Sequence, residues 1–465
     1  MFGGISRTAL AVTLLAGSAV AIDVKIRDEQ TSNQLNRIES IKDAAKTLAS
    51  STMSFYSDRD SDIPGIVSNS LYWEGSVLFS IMMRYWALTG DDSYNDAVSE
   101  GMYWLRGDND DYMSANYSSY MGNDDQLTWG LAAMMAAELD FPQKPSMPSW
   151  VTLAENVWNS VSSRWDDSNC DGGLRWQIWA YQAGYGFKNA ISNGALFELS
   201  ARLAHYKKNQ TYSDWAEKIW DWSATTPLLK EKTWTIADST SCEKNCSDSS
   251  SYQWTFNYAV YMSGAAYMYN VTEGKSKWKT GLSGLLNTSQ QFFPKKYGTD
   301  IMSEIVCEPI KKCDRNQILF KGLFAQGLSL IAQVAPYTED DIMFLLRGSA
   351  LGAAATCTGG KKKDLCSMAW YKDEYDGSDS LEQQLSVTSV LVSNLVAFDK
   401  ESLTTQSTAG NSSASGTTTG SASATSSKPT STETASGDKD NGAGMLSSGP
   451  IVLITAMLMG VLSFL

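Results

Sequence analysis

Helical segments of two alternating kinds, recurring at about sixty residues, constrain this chain more than any other feature. Aromatic anchors mark the repeat. They are Tyr94 in TGDDSYNDAVSEGMYWL, Trp150 in PSMPSWVTLAENVW, Tyr212 in NQTYSDWAEKIWDW and Trp278 in GKSKWKTGLSGLL, at intervals of 56, 62 and 66 residues. Each anchor opens an amphipathic helix. Before each lies a second segment, GSVLFSIMMRYWAL, QLTWGLAAMMAAEL, ISNGALFELSARLA or FNYAVYMSGAAYMY, apolar nearly all round and rich in small residues. Helices of that second kind are buried on most sides. LFKGLFAQGLSLIA and EDDIMFLLRGSAL continue the series, and segments near 34–56 and 380–397 bring the expected count to twelve. No alternating strand pattern of useful length interrupts them. The expected class is therefore all-α, a repeat of helical hairpins. Because each buried helix needs cover on several sides, a closed toroid of six inner and six outer helices is expected, with an open solenoid as the alternative.

The two ends of the chain stand outside that repeat. MFGGISRTALAVTLLAGSAVAIDV has a basic Arg7, an apolar stretch and then Ala19-Val20-Ala21, which reads as a secretory signal over 1–21. Residues 450–465, PIVLITAMLMGVLSFL, are apolar, uncharged and short for a span of roughly 20 residues. Small residues Asn441-Gly442-Ala443 and a short spacer precede them. The pattern fits a GPI-attachment signal over 442–465 with Asn441 as the attachment residue; a plain membrane anchor is the alternative. Residues 401–441 are a Ser/Thr-rich run without hydrophobic period, expected to be a disordered, O-glycosylated stalk. The folded part is then 22–400.

Composition agrees with a secreted chain. Asn116, Asn209, Asn245, Asn270, Asn287 and Asn411 each begin an N-x-S/T sequon. Seven cysteines in an oxidising compartment mostly pair, and short spacing favours Cys242–Cys246, Cys307–Cys313 and Cys357–Cys366, with Cys170 left over. A net charge of −14 argues against nucleic acid as a partner. Sixteen tryptophans and 21 tyrosines exceed what a helical core needs, and aromatic faces stack on sugars, so carbohydrate is the expected ligand class.

In a ring, the inner helices all begin at one end, where six positive helix termini point. Those starts bring together Tyr72-Trp73-Glu74, Asn123-Asp124-Asp125-Gln126, Lys188-Asn189, Trp254 with Tyr258, Asn316 with Lys321, and Glu382-Gln383. The long segments 164–187 and 224–252 fall nearby, and loops of that length are usually functional. Asp124 and Asp125 admit two readings. They complement a helix dipole, for which one acid suffices. Or they are a coupled pair, one carboxylate and one carboxylic acid, as glycoside cleavage requires. Consecutive Cα atoms lie about 3.8 Å apart, which suits the roughly 5–5.5 Å carboxyl spacing of retaining enzymes better than the wider spacing of inverting ones. His205, the single histidine, reads as a surface residue at a helix end, so a triad or His-based zinc site is not expected. GDNDDY at 107–112 reads as a solvated acidic loop, with a cation site as the alternative.

YMGNDDQLTWGLAAMMAAE, CDGGLRWQI and FKNAISNGALFELSARLA, together with the earlier YWALTGDDSYND, resemble the mannan endo-1,6-α-mannosidases of glycoside hydrolase family 76. The secreted, stalked, GPI-tailed layout is similar to the fungal cell-wall branch. The resemblance implies an (α/α)6 barrel and no metal or organic cofactor. It implies Asp124 as nucleophile and Asp125 as general acid/base of a retaining mechanism. Trp73, Gln126, Trp176, Lys188, Asn189, Asp238, Tyr258 and Lys321 are expected at the substrate cleft, although TIADST around Asp238 is looser than the family phrase. It further implies action on α-1,6-mannan or the GPI-anchor mannose core, with β-glucan as an acceptor, at the outer membrane face. A non-catalytic mannan-binding wall protein and an inverting hydrolase are the rival functions.

Overall fold

The computed structural model describes residues 34–57, 63–67, 69–298 and 300–398, together with Ile22, Val24, Leu403 and Thr405. The expected signal and attachment segments, and the expected stalk apart from Leu403 and Thr405, lie outside the described residues, with Asn411 and Asn441 among them; Leu403 is buried in the core, so the packed part reaches past the expected boundary at 400.

Among the described residues there are twelve α-helices: α1 (Gln34–Ser57), α2 (Tyr72–Thr89), α3 (Asn95–Trp104), α4 (Asn123–Glu138), α5 (Trp150–Ser162), α6 (Ala190–Lys207), α7 (Gln210–Thr225), α8 (Thr255–Val271), α9 (Ser276–Ser289), α10 (Arg315–Val334), α11 (Glu339–Ala355) and α12 (Leu381–Ser393). The two expected kinds are both present. In α2 every residue from Tyr72 to Tyr85 is buried, and in α6 and α8 nearly the same holds. In α5 only one face is buried: Trp150, Leu153, Ala154, Val157, Trp158 and Val161, spaced as one stripe of a helix.

Packing follows that division. Each even-numbered helix lies against the next, from α2 through α4, α6, α8 and α10 to α12, and α12 packs against α2. The odd-numbered helices cover them from outside: α3 on α2, α5 on α4, α7 on α6, α9 on α8, α11 on α10 and α1 on α12. Small residues permit the close crossings; a Cβ at Gly322 of α10 would stand 2.6 Å from the Cα of Ser386 in α12. Polar groups between neighbouring inner helices are paired. Arg202 of α6 binds Glu138 of α4 at 2.8 Å and Glu198 at 3.1 Å, and the Tyr267 hydroxyl of α8 donates to Glu138 at 3.1 Å.

Sequence patterning did not anticipate four short strands. β1 (Phe187–Asn189) pairs antiparallel with β4 (Ser239–Ser241), and β2 (Leu229–Lys230) with β3 (Thr235–Ile236). Runs of two or three residues are too short to display a period of two.

Two further expectations are corrected. Cysteine pairing is Cys170–Cys246, Cys307–Cys313 and Cys357–Cys366, and Cys242 carries the free thiol, so the expected Cys242–Cys246 link does not form. A 3-10 turn over Cys242–Lys244 leads into left-handed Asn245 and Cys246, and the Asn245 side chain accepts the Cys170 N–H at 3.0 Å, bringing Cys170 alongside Cys246. His205 is not on the surface: it is buried in the last turn of α6, edge-on to Tyr267 at 5.5 Å, because an inner helix stays covered to its end. In the acidic loop, Asp110 pairs with Arg106 at 2.7 Å. Asn116, Asn209, Asn245, Asn270 and Asn287 are exposed.

Candidate active site

The first turns of the inner helices are tied to one another. Arg315, opening α10, binds Glu74 in the first turn of α2 at 2.8 Å and also Glu382 in the first turn of α12. Burial and the nearby Glu382 push the Glu74 carboxyl up to about 7, against the pull of Arg315. The Ala190 N–H of α6 donates to the Asp238 carbonyl at 2.7 Å, and the Thr255 N–H of α8 donates to Glu304 at 3.1 Å.

Asp124 and Asp125 stand half-buried in the first turn of α4. Gly122 precedes the helix with extended backbone, and its N–H donates to Asp125 Oδ2 at 2.7 Å. Asp125 therefore does cap its helix. The Asp125 N–H in turn donates to Asp124 Oδ1 at 3.1 Å, and the Asn189 side chain also bonds Asp124. Capping accounts for one acid and leaves the other unexplained. Burial, and then the charge of Asp125, hold the Asp124 carboxyl well above the ordinary carboxylate range. Burial lifts Asp125 to about 6. One proton thus remains on the pair around neutral pH.

What holds this turn in place is a zipper of two segments. The Asn123 N–H donates to the Trp176 carbonyl and its side-chain amide to the Arg175 carbonyl, both at 2.9 Å, while Gly122 and Gln177 form an antiparallel bridge. Arg164 Nε donates to Asn123 Oδ1 at 2.7 Å, and Gln126 Nε2 donates to the Asp111 carbonyl at 2.7 Å. The Cys170–Cys246 link ties the loop before Trp176 to the loop after β4.

The expected cleft residues divide into two groups. Asn189 touches Asp124, and β4 pairing places Ser239 opposite Asn189, so half-buried Asp238 lies one residue away. Burial raises the Asp238 carboxyl even though Ser239, Asn257 and Trp254 bond it. Trp176 keeps 38% of its surface exposed beside Asn123. The other group is buried. Gln126 is fully buried. Trp73 is buried in the first turn of α2. The Lys188 ammonium is caged by the carbonyls of Asp166, Asn169 and Gly172 at 2.8, 2.7 and 2.5 Å. Lys321 is buried against Glu308 at 2.7 Å and the Met368 carbonyl, and the Tyr258 hydroxyl is committed to Gln253 at 2.7 Å. The polar atoms of Lys188, Lys321 and Tyr258 are thus engaged within the fold. Residues that sequence reasoning missed are Gly122, Arg315 as the partner of Glu74, and the exposed aromatic rings of Trp179, Tyr181 and Tyr120; the WQIWAYQ run was the signal for Trp179 and Tyr181.

Two neighbouring carboxyls that share one proton can protonate a leaving oxygen while presenting a charge to the carbon it leaves, which is the cleavage of an acetal. The fold and the pair define a glycosidase. Comparison with known proteins agrees and narrows the class. The chain belongs to glycosyl hydrolase family 76, whose sequence profile matches residues 40–406. It is 39% identical over 386 residues to the mannan endo-1,6-alpha-mannosidase DCW1 of Saccharomyces cerevisiae, covering 82% of this chain and 85% of that one. It is 34% identical to the mannan endo-1,6-alpha-mannosidase DFG5 of the same yeast, covering 78% and 79%. Among solved structures, Dfg5 from Chaetomium thermophilum in complex with glucosamine matches with a TM-score of 0.76 at 37% identity, over 80% of this chain and 93% of that one. An inactive variant of the alpha-1,6-mannanase GH76A of Salegentibacter sp., in complex with alpha-1,6-mannotetrose, shares the fold with a TM-score of 0.62 at 17% identity, over 76% and 98%.

Proposed function

We propose that this glycosidase cleaves α-1,6-mannosidic bonds with retention of configuration, on α-1,6-mannan or the mannose core of a GPI anchor, in fungal cell-wall building. Asp124 attacks the anomeric carbon while Asp125 gives its proton to the departing oxygen, leaving a mannosyl ester on Asp124. Water, or a hydroxyl of a β-glucan, then attacks that ester as Asp125 takes the proton back. The observation that carries the reading is the Asp124–Asp125 pair beside Asn189. Burial and the Asp125 charge favour the proton on Asp124, while the Asp125 N–H and the Asn189 side chain bond Asp124 and oppose them; attack by Asp124 therefore requires that the shared proton move to Asp125. The proposed (α/α)6 toroid is supported by the packing of α12 against α2. Secretion and a GPI tether at the outer membrane face rest on the two apolar chain ends and the Ser/Thr-rich run before the second.

The test is incubation of the purified protein with an α-1,6-linked mannooligosaccharide, with and without a β-glucan acceptor, followed by NMR of the fresh anomeric products. Retained mannosides, or mixed glycans when acceptor is present, are expected; Asp124→Asn keeps sugar binding and loses turnover. An inverted product, or turnover undiminished in Asp124→Asn, overturns the reading. Release of the protein from cells by a phosphatidylinositol-specific phospholipase tests the tether.

A further inference from the structure

Five of the eleven large apolar side chains exposed among the described residues lie in two short strips beside the catalytic pair: Tyr120 in one, and Trp176, Trp179, Tyr181 and Phe187 in the other. Rings left in water at such density mark a binding surface. Trp179 and Tyr181 are more than exposed; they are fixed. Trp179 Nε1 donates to the Ser118 carbonyl and the Tyr181 hydroxyl to the Ser119 carbonyl, both at 2.6 Å. Gln182 locks the turn between them, accepting the Trp179 N–H at 2.9 Å and donating to the Met121 carbonyl at 3.3 Å. As a result the two rings are parallel within 2°, their centroids 6.4 Å apart.

This arrangement selects a ligand class. Both polar atoms of the rings are spent on backbone carbonyls, so the flat faces are what the surface offers. Faces of that kind recognise the C–H faces of pyranoses, and fixed rings bind with little ordering cost. The strip that anchors them, Ser118 to Gly122, runs straight into Asp124; six residues of chain span at most about 20 Å, the reach of a few sugar rings.

We propose that Trp179 and Tyr181 form a distal subsite for a mannan chain continuing outward from the bond cut at Asp124 and Asp125. The identity of the sugar rests on the proposed function; the subsite itself rests on the rings. The enzyme then prefers extended glycan to a disaccharide. A competing occupant is the protein's own glycan, since the Asn116 sequon lies in the same turn as Ser118.

Calorimetric titration of the full secreted protein carrying Asp124→Asn, with α-1,6-mannobiose and α-1,6-mannohexaose, tests this. The hexaose is expected to bind about tenfold tighter, and Trp179→Ala with Tyr181→Ala to abolish that advantage. Trp179→Phe, which keeps a ring face, retains most of it, which separates a lost face from a disturbed loop. Equal hexaose affinity with and without the rings overturns the subsite, as does a parent that binds both sugars alike or neither. Hexaose binding that emerges only after Asn116→Gln assigns the rings to the attached glycan and likewise overturns it. Wild-type protein that shows the ring-dependent preference but never turns over sinks the proposed activity and leaves the subsite standing.

Discussion

Asp124 Oδ1 lies over the backbone of Gly122, so close that a Cβ there would stand 2.2 Å from it. Gly122 has φ −87° and ψ 168°, torsions open to any residue, so the glycine serves space and not conformation. Gly122→Ala must therefore displace the Asp124 carboxylate. Misplacing a reacting group by about 1 Å costs on the order of 100-fold in rate. A fall in kcat of about that size is expected, with a loss of stability of only about 1–3 kcal/mol from the overpacked contact. Steady-state kinetics beside thermal melts check it; an unchanged kcat would show that Asp124 acts from elsewhere or not at all.

The shared proton sets the pH profile. Activity requires one charge and one proton on the pair, and below about 6 Asp125 is protonated along with Asp124. The acid limb of kcat/KM is expected near pH 6, and the alkaline limb well above the ordinary carboxylate range, because burial and the Asp125 charge hold the last proton on Asp124. An acid limb near 4, the value of an isolated aspartate, would mean that the pair is not coupled in solution.

The helix repeat was legible because its signal is long: an inner helix such as α6 is rich in small and apolar residues and buried almost all round, whereas α5 buries a single stripe. Asp124 and Asp125 were legible because adjacent acids exceed what a cap needs. Contacts between distant segments were not. Cys170 reaches Cys246 across 76 residues through a left-handed turn that spacing arguments do not see. Lys188 and Lys321 read as cleft cations because they sit near inner-helix starts. Lys188 instead reaches three backbone carbonyls, and Lys321 the Glu308 carboxylate and the Met368 carbonyl, partners that only the folded path of those loops supplies.

Lys188 gives that distinction an experimental form. Its side chain is wholly buried, with Asp166 at 3.4 Å and the three caging carbonyls around it. Lys188→Met leaves those acceptors unpaired, and a cost of about 3 kcal/mol is expected. Denaturant unfolding should show the loss while KM at permissive temperature stays near wild type. A raised KM at unchanged stability would instead place the ammonium on the substrate.

The disulfide reassignment separates two cysteines four residues apart. Opening a loop of 76 residues by Cys246→Ser is expected to cost about 4 kcal/mol. It also frees the loop that carries Trp176, so activity falls with stability. Cys242→Ser, at a free thiol, should change neither by a measurable amount. Non-reducing peptide mapping reads the link directly, and a Cys242–Cys246 peptide would reverse the expectation for both variants.

Glu304 makes stability itself depend on pH, in the direction opposite to ordinary acid unfolding. It is fully buried at the start of α8, its Oε1 taken by the Thr255 N–H and hydroxyl while Oε2 has no hydrogen-bond partner. Glu308 and Lys321 face it, and they are already paired with each other at 2.7 Å. Burial pushes its carboxyl from 4.5 to about 8. Between those values the folded chain holds a proton that the unfolded chain has lost, so stability is full below about 4.5 and declines as pH rises toward 8. Glu198, lifted to about 7 by burial beside Arg202, adds to the same trend. The melting temperature is expected to fall by several degrees from pH 5 to pH 8. Glu304→Gln keeps the acceptor for Thr255, supplies a donor in place of the proton and should flatten that decline. Calorimetric melts of both proteins across the range decide it: parallel curves would show that Glu304 is ionised in the fold and paired with a group that offsets its burial.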